Sequence, residues 1–179
     1  MYELKVSSMF SSAHNLRGYN GKCENIHGHN WQIEVLVYSE LLNGIGIAVD
    51  FKILKNHLKL IMEKLDHKYI NELPYFENIN PSAENIAKYI FKEFNILLEN
   101  NKENQNEDGS INVKVKKVNV YETATSMASY YEWYFIWLEI DIKIFYKNLI
   151  NKLTYFFIYI KRLYCGDCFG SYLLIGNIF

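Results

Sequence analysis

The stretch GKCENIHGHNWQIEVLVYSEL, residues 21–41, carries two signals end to end. In its second half Ile33, Val35 and Val37 recur every second position, the period of a strand with one buried face. Its first half places Cys23, His27 and His29 within seven positions. The strand sets the frame of the fold. The cluster asks whether a metal is closed in by these side chains or whether Cys23 is left free to react.

Upstream, YELKVSSMFSSA at residues 2–13 alternates more loosely as another strand, and the intervening NLRGYNGKCEN, with two glycines and three asparagines, reads as a loop. The two strands form an antiparallel pair. Downstream, a turn at NGIGI leads to Asp50, a good N-cap, and to Phe51, Leu54, Leu58, Ile61, Met62 and Leu65 at helical spacing. INELPYFENINP holds both prolines and is a loop, after which Asn80-Pro81-Ser82 opens a second helix striped by Ile86, Ile90, Phe94, Leu97 and Leu98. The polar run at 99–110 reads as a mobile turn. Ile111, Val113 and Val115 then begin a third strand, and Val118 and Val120 continue it with parity shifted by one, as a bulge at Lys116-Lys117 would produce. Strand, strand, helix, helix, strand makes an α+β chain on an antiparallel sheet.

A chain of 179 residues, half of them apolar and 22% charged, has the composition of a folded domain. A net charge of −1 provides no global positive field for nucleic acid or an anionic membrane. Only three cysteines occur, the N-terminus lacks a leader pattern, and charges interrupt every long apolar run. The expectation is a cytoplasmic protein with no membrane span.

On an extended chain His27 and His29 face the same way, and a hairpin would bring His14 alongside, so three imidazoles can converge. Zinc suits such a set, with Gly28 allowing the backbone to bend closely around the ion. Spacing leaves two arrangements open: three histidines with an open fourth position, or a closed Cys-His₃ clip that includes Cys23 and performs no chemistry. His57 lies off the apolar stripe of the first helix and reads as a solvated surface residue. Asp66-His67 ends that helix, where a carboxylate beside an imidazole can orient a base.

Six motifs in order, FSSAHNL, KCENIHGHNW, GIGIAVDF, LDHKYIN, NPSAENIA and YETATSMASY, resemble the 6-pyruvoyltetrahydropterin synthase family over residues 1–131. The Cys-x₃-His-x-His spacing is most similar to its bacterial 6-carboxy-5,6,7,8-tetrahydropterin synthase branch, which serves queuosine biosynthesis. The resemblance implies the tunnelling fold, a ββααββ protomer with two helices on one sheet face, whose barrel closes by assembly into a homo-oligomer, a trimer or dimer of trimers. It implies catalytic zinc on His14, His27 and His29, Cys23 as a base rather than a ligand, Asp66 and His67 completing the proton-transfer group, and Glu122 as the pterin anchor. The implied reaction is that of a lyase converting 7,8-dihydroneopterin triphosphate to 6-carboxytetrahydropterin with loss of triphosphate and acetaldehyde.

Physical reasons accompany these roles. A thiol with a pKa near ~8.5 becomes a useful base beside a cation, and a carboxylate at Glu122 can accept a parallel pair of N–H bonds from an aminopyrimidine ring. Glu84 and Asn85 are explained by helix capping alone. Lys22, Lys114 and Lys116 are basic candidates for the triphosphate. Two rivals stand: 6-pyruvoyltetrahydropterin synthesis, with every side-chain carbon retained, and a non-catalytic, zinc-stabilised oligomeric module. The family pattern does not extend over residues 132–179, an aromatic-rich C-terminal extension in which a fourth strand is expected near 128–142. The lone Cys165-Gly-Asp-Cys168 there is a weak metal signal.

Overall fold

The computed structural model describes residues 1–101, 104 and 112–132. The expectations about residues 133–179, including Cys165 and Cys168, lie outside the described residues. Strand β1 (Tyr2–His14) pairs antiparallel with β2 (His27–Ser39), β2 with β3 (Val113–Thr123), and β3 with β4 (Ser126–Tyr130), in spatial order β1-β2-β3-β4. Helices α1 (Phe51–Leu65) and α2 (Ala83–Glu99) fill the connection between β2 and β3. The architecture is the expected α+β one, with an antiparallel four-stranded sheet and two helices. β4 occupies 126–130, which overlaps the range expected for a fourth strand, 128–142, only at 128–130.

Alternation decides the faces. Val6, Phe10, Trp31, Ile33, Val35, Val37, Val118 and Val120 are buried together with Leu54, Leu58, Ile61 and Leu65 of α1 and Ile86, Ile90, Phe94 and Leu98 of α2. The opposite sheet face is polar and cross-linked: Lys5 reaches Glu34 at 2.7 Å, Glu34 accepts from Asn119 at 3.0 Å and from the Tyr121 hydroxyl at 3.1 Å, and Ser129 donates to Asn119 at 2.8 Å. A one-residue register slip would exchange these two faces, so the pattern pins the pairing. Leu36 opposes Lys117 while Val37 opposes Val115, which leaves Lys116 as the extra residue of a bulge at the place the parity shift indicated.

Helix starts follow their caps. Asp50 accepts from the Lys52 N–H at 2.8 Å and Ser82 accepts from the Asn85 N–H, each satisfying an otherwise unpaired first-turn donor. Three expectations need correction. Phe51 begins α1 but is 48% exposed, outside the buried stripe of Leu54, Leu58, Ile61, Met62 and Leu65. His57 is partly buried, its ring 6.0 Å from Phe94, and burial holds its imidazole below the ordinary value. Within the polar run at 99–110, Asn104 is buried and structural: it donates to Leu98 O and Val113 O and accepts from the Val113 N–H, joining the end of α2 to β3.

Candidate metal centre and adjoining cleft

The β1–β2 register places His14 opposite His27 and Ser12 opposite His29. Because the two strands alternate in phase, all three imidazoles emerge on the helix-facing side, with ring centroids 4.5, 4.9 and 5.2 Å apart. Glu122, near the end of β3, adds a carboxylate oxygen 3.0 Å from His29 Nε2 and 3.8 Å from His14 Nε2. One donor atom from each of these four residues lies within 4.8 Å of the others, so the group could hold a metal ion.

The hydrogen bonds of the rings prepare them for that use. His14 Nδ1 faces Pro81 O at 2.8 Å and His27 Nδ1 faces Asn25 O at 2.8 Å. A carbonyl only accepts, so each Nδ1 carries the proton and each Nε2 presents its lone pair. The Nε2 atoms of His14, His27 and His29 are buried without any hydrogen-bond partner; even the 3.0 Å approach of Glu122 lacks hydrogen-bond alignment. Three buried, unpartnered ring nitrogens converging in one place would be costly in a purely structural cluster, and they fit a bound cation. Burial pushes the His14 and His29 imidazoles below their ordinary pKa, which keeps them neutral and able to ligate. Trp31, fully buried, closes the inner side with its ring 5.0 Å from His14 and 5.2 Å from His29.

Gly28 is not bent around this point. It sits in regular strand opposite Ala13, and a Cβ there would meet only Ser12 O at 3.6 Å, an ordinary contact.

Cys23 lies outside the four-residue cluster, on a short 3-10 turn at Lys22–Glu24. Its carbonyl accepts from the Leu16 N–H at 2.8 Å, and the next carbonyl, Glu24 O, accepts from Asn15 Nδ2 at 3.0 Å. Asn15 is itself held by the Tyr69 hydroxyl at 2.6 Å and by Asn71. The free, partly buried Cys23 lines a 340 Å³ cleft with His14, Glu122, Ser82, Glu84 and Ser126. His14 and Glu122 of the metal cluster therefore share this space with the thiol.

Asp66 and His67 lie elsewhere. Asp66 caps α1; its Oδ1 accepts from the Ser11 N–H at 2.8 Å and its Oδ2 lies 2.8 Å from His67 Nδ1. The Ser11 N–H, and then His67, hold this carboxyl below the usual carboxylate range. His67 has φ of 53°, a left-handed conformation that a non-glycine residue adopts at a cost, and its N–H donates to Ser11 O at 2.7 Å. Its imidazole is 83% exposed and borders a 530 Å³ hollow with Ser11, His29, Asn30 and Lys68, so the metal group reaches this hollow through His29. Within one chain His67 and Cys23 line different cavities. Of the basic candidates, Lys116 is paired with Glu3.

The residues that orient the rings escaped the sequence reading, because Pro81 and Asn25 act through main-chain carbonyls that no side chain advertises. Asn15 and Asn71 had only the generic signature of loop asparagines.

Comparison with known proteins accords with this geometry. The model of the 6-pyruvoyl tetrahydropterin synthase family matches residues 3–132. The chain is 35% identical over 127 residues to the 6-carboxy-5,6,7,8-tetrahydropterin synthase of Synechocystis, covering 68% of this chain and 87% of that protein. It is 32% identical over 128 residues to the human 6-pyruvoyl tetrahydrobiopterin synthase, covering 69% and 79%. Among solved structures, the Caenorhabditis elegans 6-pyruvoyl tetrahydropterin synthase superposes with a TM-score of 0.61 at 24% identity, over 73% of this chain and 95% of that one, a likeness of fold. The chain thus belongs to the 6-pyruvoyl tetrahydropterin synthase family.

Proposed function

We propose that this chain is a zinc-dependent 6-carboxy-5,6,7,8-tetrahydropterin synthase, a cytoplasmic lyase that converts 7,8-dihydroneopterin triphosphate to 6-carboxytetrahydropterin with release of triphosphate and acetaldehyde, on the route to queuosine. The observation that carries the reading is the placement of a free thiol in the same cleft as His14 and Glu122, two members of a group whose three histidine Nε2 atoms are buried and unpartnered. The Cys-x₃-His-x-His spacing and relatives named for this activity at 34 and 35% identity support the carboxy branch.

His14, His27 and His29 would hold the zinc through Nε2. Zinc bound there supplies a Lewis acid toward the hydroxyls of the substrate side chain. The Cys23 thiolate accepts a proton from that side chain, and the turn held by Leu16 and Asn15 fixes its approach. Glu122 accepts the paired N–H groups of the pterin ring. Asp66 holds His67 by Nδ1, leaving Nε2 to exchange protons with the substrate or the thiol.

His67 and Cys23 line separate cavities of one chain, which supports a full set assembled between protomers of a homo-oligomer, a trimer or a dimer of trimers. Both outer strands of the sheet order, β1 and β4, offer edges through which such a barrel could close. A second role for Glu122 rests on its 3.0 Å approach to His29, which suits a fourth metal ligand. Glu122→Gln separates the two: full zinc with a raised KM marks the anchor, and lost zinc marks the ligand.

The test is the product mass from zinc-loaded full-length protein and 7,8-dihydroneopterin triphosphate. 6-Carboxytetrahydropterin with acetaldehyde is expected. A product that retains the three-carbon side chain assigns 6-pyruvoyl synthesis instead, and no turnover supports a non-catalytic zinc-stabilised module.

A further inference from the structure

Arg17 stands three residues beyond His14, exposed at the surface, yet its donors go to main chain and amide rather than to a carboxylate among the described residues. Nη1 donates to Glu77 O at 2.7 Å, Nη2 to Phe76 O at 2.6 Å and Ile79 O at 2.8 Å, and Nε to Asn80 Oδ1 at 3.3 Å. Asn80 returns the contact: its Oδ1 accepts from the Arg17 N–H at 2.9 Å, and its Nδ2 donates to Arg17 O at 3.0 Å. The next residue is Pro81, buried, whose carbonyl takes the Nδ1 proton of His14.

We propose that Arg17 is a positioning residue for the metal ligand His14, locking the 76–80 loop so that the Pro81 carbonyl fixes the tautomer and direction of that ring. Three features carry this. The planar guanidinium presents five N–H donors in a fixed fork, and here it gathers carbonyls from a loop without helical or sheet pairing of its own after the short turn at Pro74–Phe76. Asn80, pinned on both amide atoms, is one peptide bond from Pro81, and residue and proline each restrict the backbone of the other. Pro81 O is the partner found for the proton-bearing nitrogen of His14, whose other nitrogen is one of the three converging on the metal point. The lysine ammonium has three donors radiating from one atom and cannot span the same set of acceptors.

The proposal rests on the reading of His14 as a ligand, so the experiment separates the two. Zinc affinity is measured by chelator competition on the full-length protein, its Arg17→Ala and Arg17→Lys variants, His14→Ala, and the double variant. Loss of an outer partner of a ligating histidine weakens metal binding about 10–100-fold. That loss is expected for Arg17→Ala and Arg17→Lys alike in the presence of His14, and less than about twofold change is expected once His14 is alanine. An equal loss in both backgrounds, or none in the first, overturns the proposal. The ¹⁵N shifts of His14 in metal-free protein give an independent readout: a fixed Nδ1–H tautomer in the parent and a mixture of tautomers in Arg17→Lys. An unchanged tautomer in a folded Arg17→Lys overturns it as well. If the parent binds no zinc, the metal reading fails and the nitrogen shifts decide the role of Arg17.

Discussion

Two corners of this molecule share β1 and end differently. His14 projects from the strand toward the helices, is 1% exposed, and meets His27 and His29 through the hairpin register. Three residues earlier, the main chain of Ser11 holds Asp66 and His67 at the strand's side, where the imidazole is 83% exposed. The first corner is complete within one chain because antiparallel pairing converts a sequence gap into contact. The second has its own internal order, a carboxylate fixed by a backbone N–H and a strained His67, and it borders a hollow that His29 of the metal group also lines, while Cys23 lies on a different cleft. On the proposed function, Cys23 would meet this pair across a boundary with a neighbouring protomer.

The largest effect is expected at the buried corner. On the proposed reading His29→Ala removes one of three zinc ligands, and zinc affinity should fall by more than the 10–100-fold typical of outer partners, read by chelator competition. Glu122→Ala, by contrast, should leave near-stoichiometric zinc.

Next comes the outward corner. Cys23→Ala and His67→Ala proteins are each expected to be inactive alone, and unfolding and refolding them together should restore part of the turnover if the groups come from different protomers. No recovery in mixed oligomers of verified composition would place the whole set within a single chain.

A smaller change is expected from Asn15→Ala, which unties Glu24 O from the Tyr69 hydroxyl beside the Cys23 turn. A net loss of about 1 kcal/mol of stability follows from removing such partly buried hydrogen bonds, measurable by denaturant titration. The smallest concerns His57. Burial lowers its pKa in the folded chain, so the unfolded chain binds the proton more readily and stability falls as pH drops below about 6.5 toward the folded value. His57→Leu should reduce the difference between melting temperatures at about pH 5 and about pH 7.5.

Much of this was legible because periodicity reports burial. Ile33, Val35 and Val37 mark the core face of β2, and the break between Val115 and Val118 marks the bulge at Lys116. The convergence of His14 with His27 and His29 followed from the hairpin alone. What stayed hidden acts through the main chain or through tertiary packing. Pro81 O and Asn25 O set the histidine tautomers with groups every residue possesses, Asn104 looks like one polar residue in a polar run, and His57 is covered by packing of α1 near Phe94 that a helical wheel does not contain. The family resemblance supplied the roles of Cys23 and Glu122, which spacing left open.

The central claim is that Cys23 stands beside the metal as a base and is not one of its ligands. Cys23→Ala tests it most directly, with zinc content and turnover of 7,8-dihydroneopterin triphosphate measured on the same preparation. The account predicts full zinc occupancy on His14, His27 and His29 with turnover reduced by about 10²-fold or more. Loss of zinc together with the thiol would contradict it and restore the closed Cys-His₃ clip.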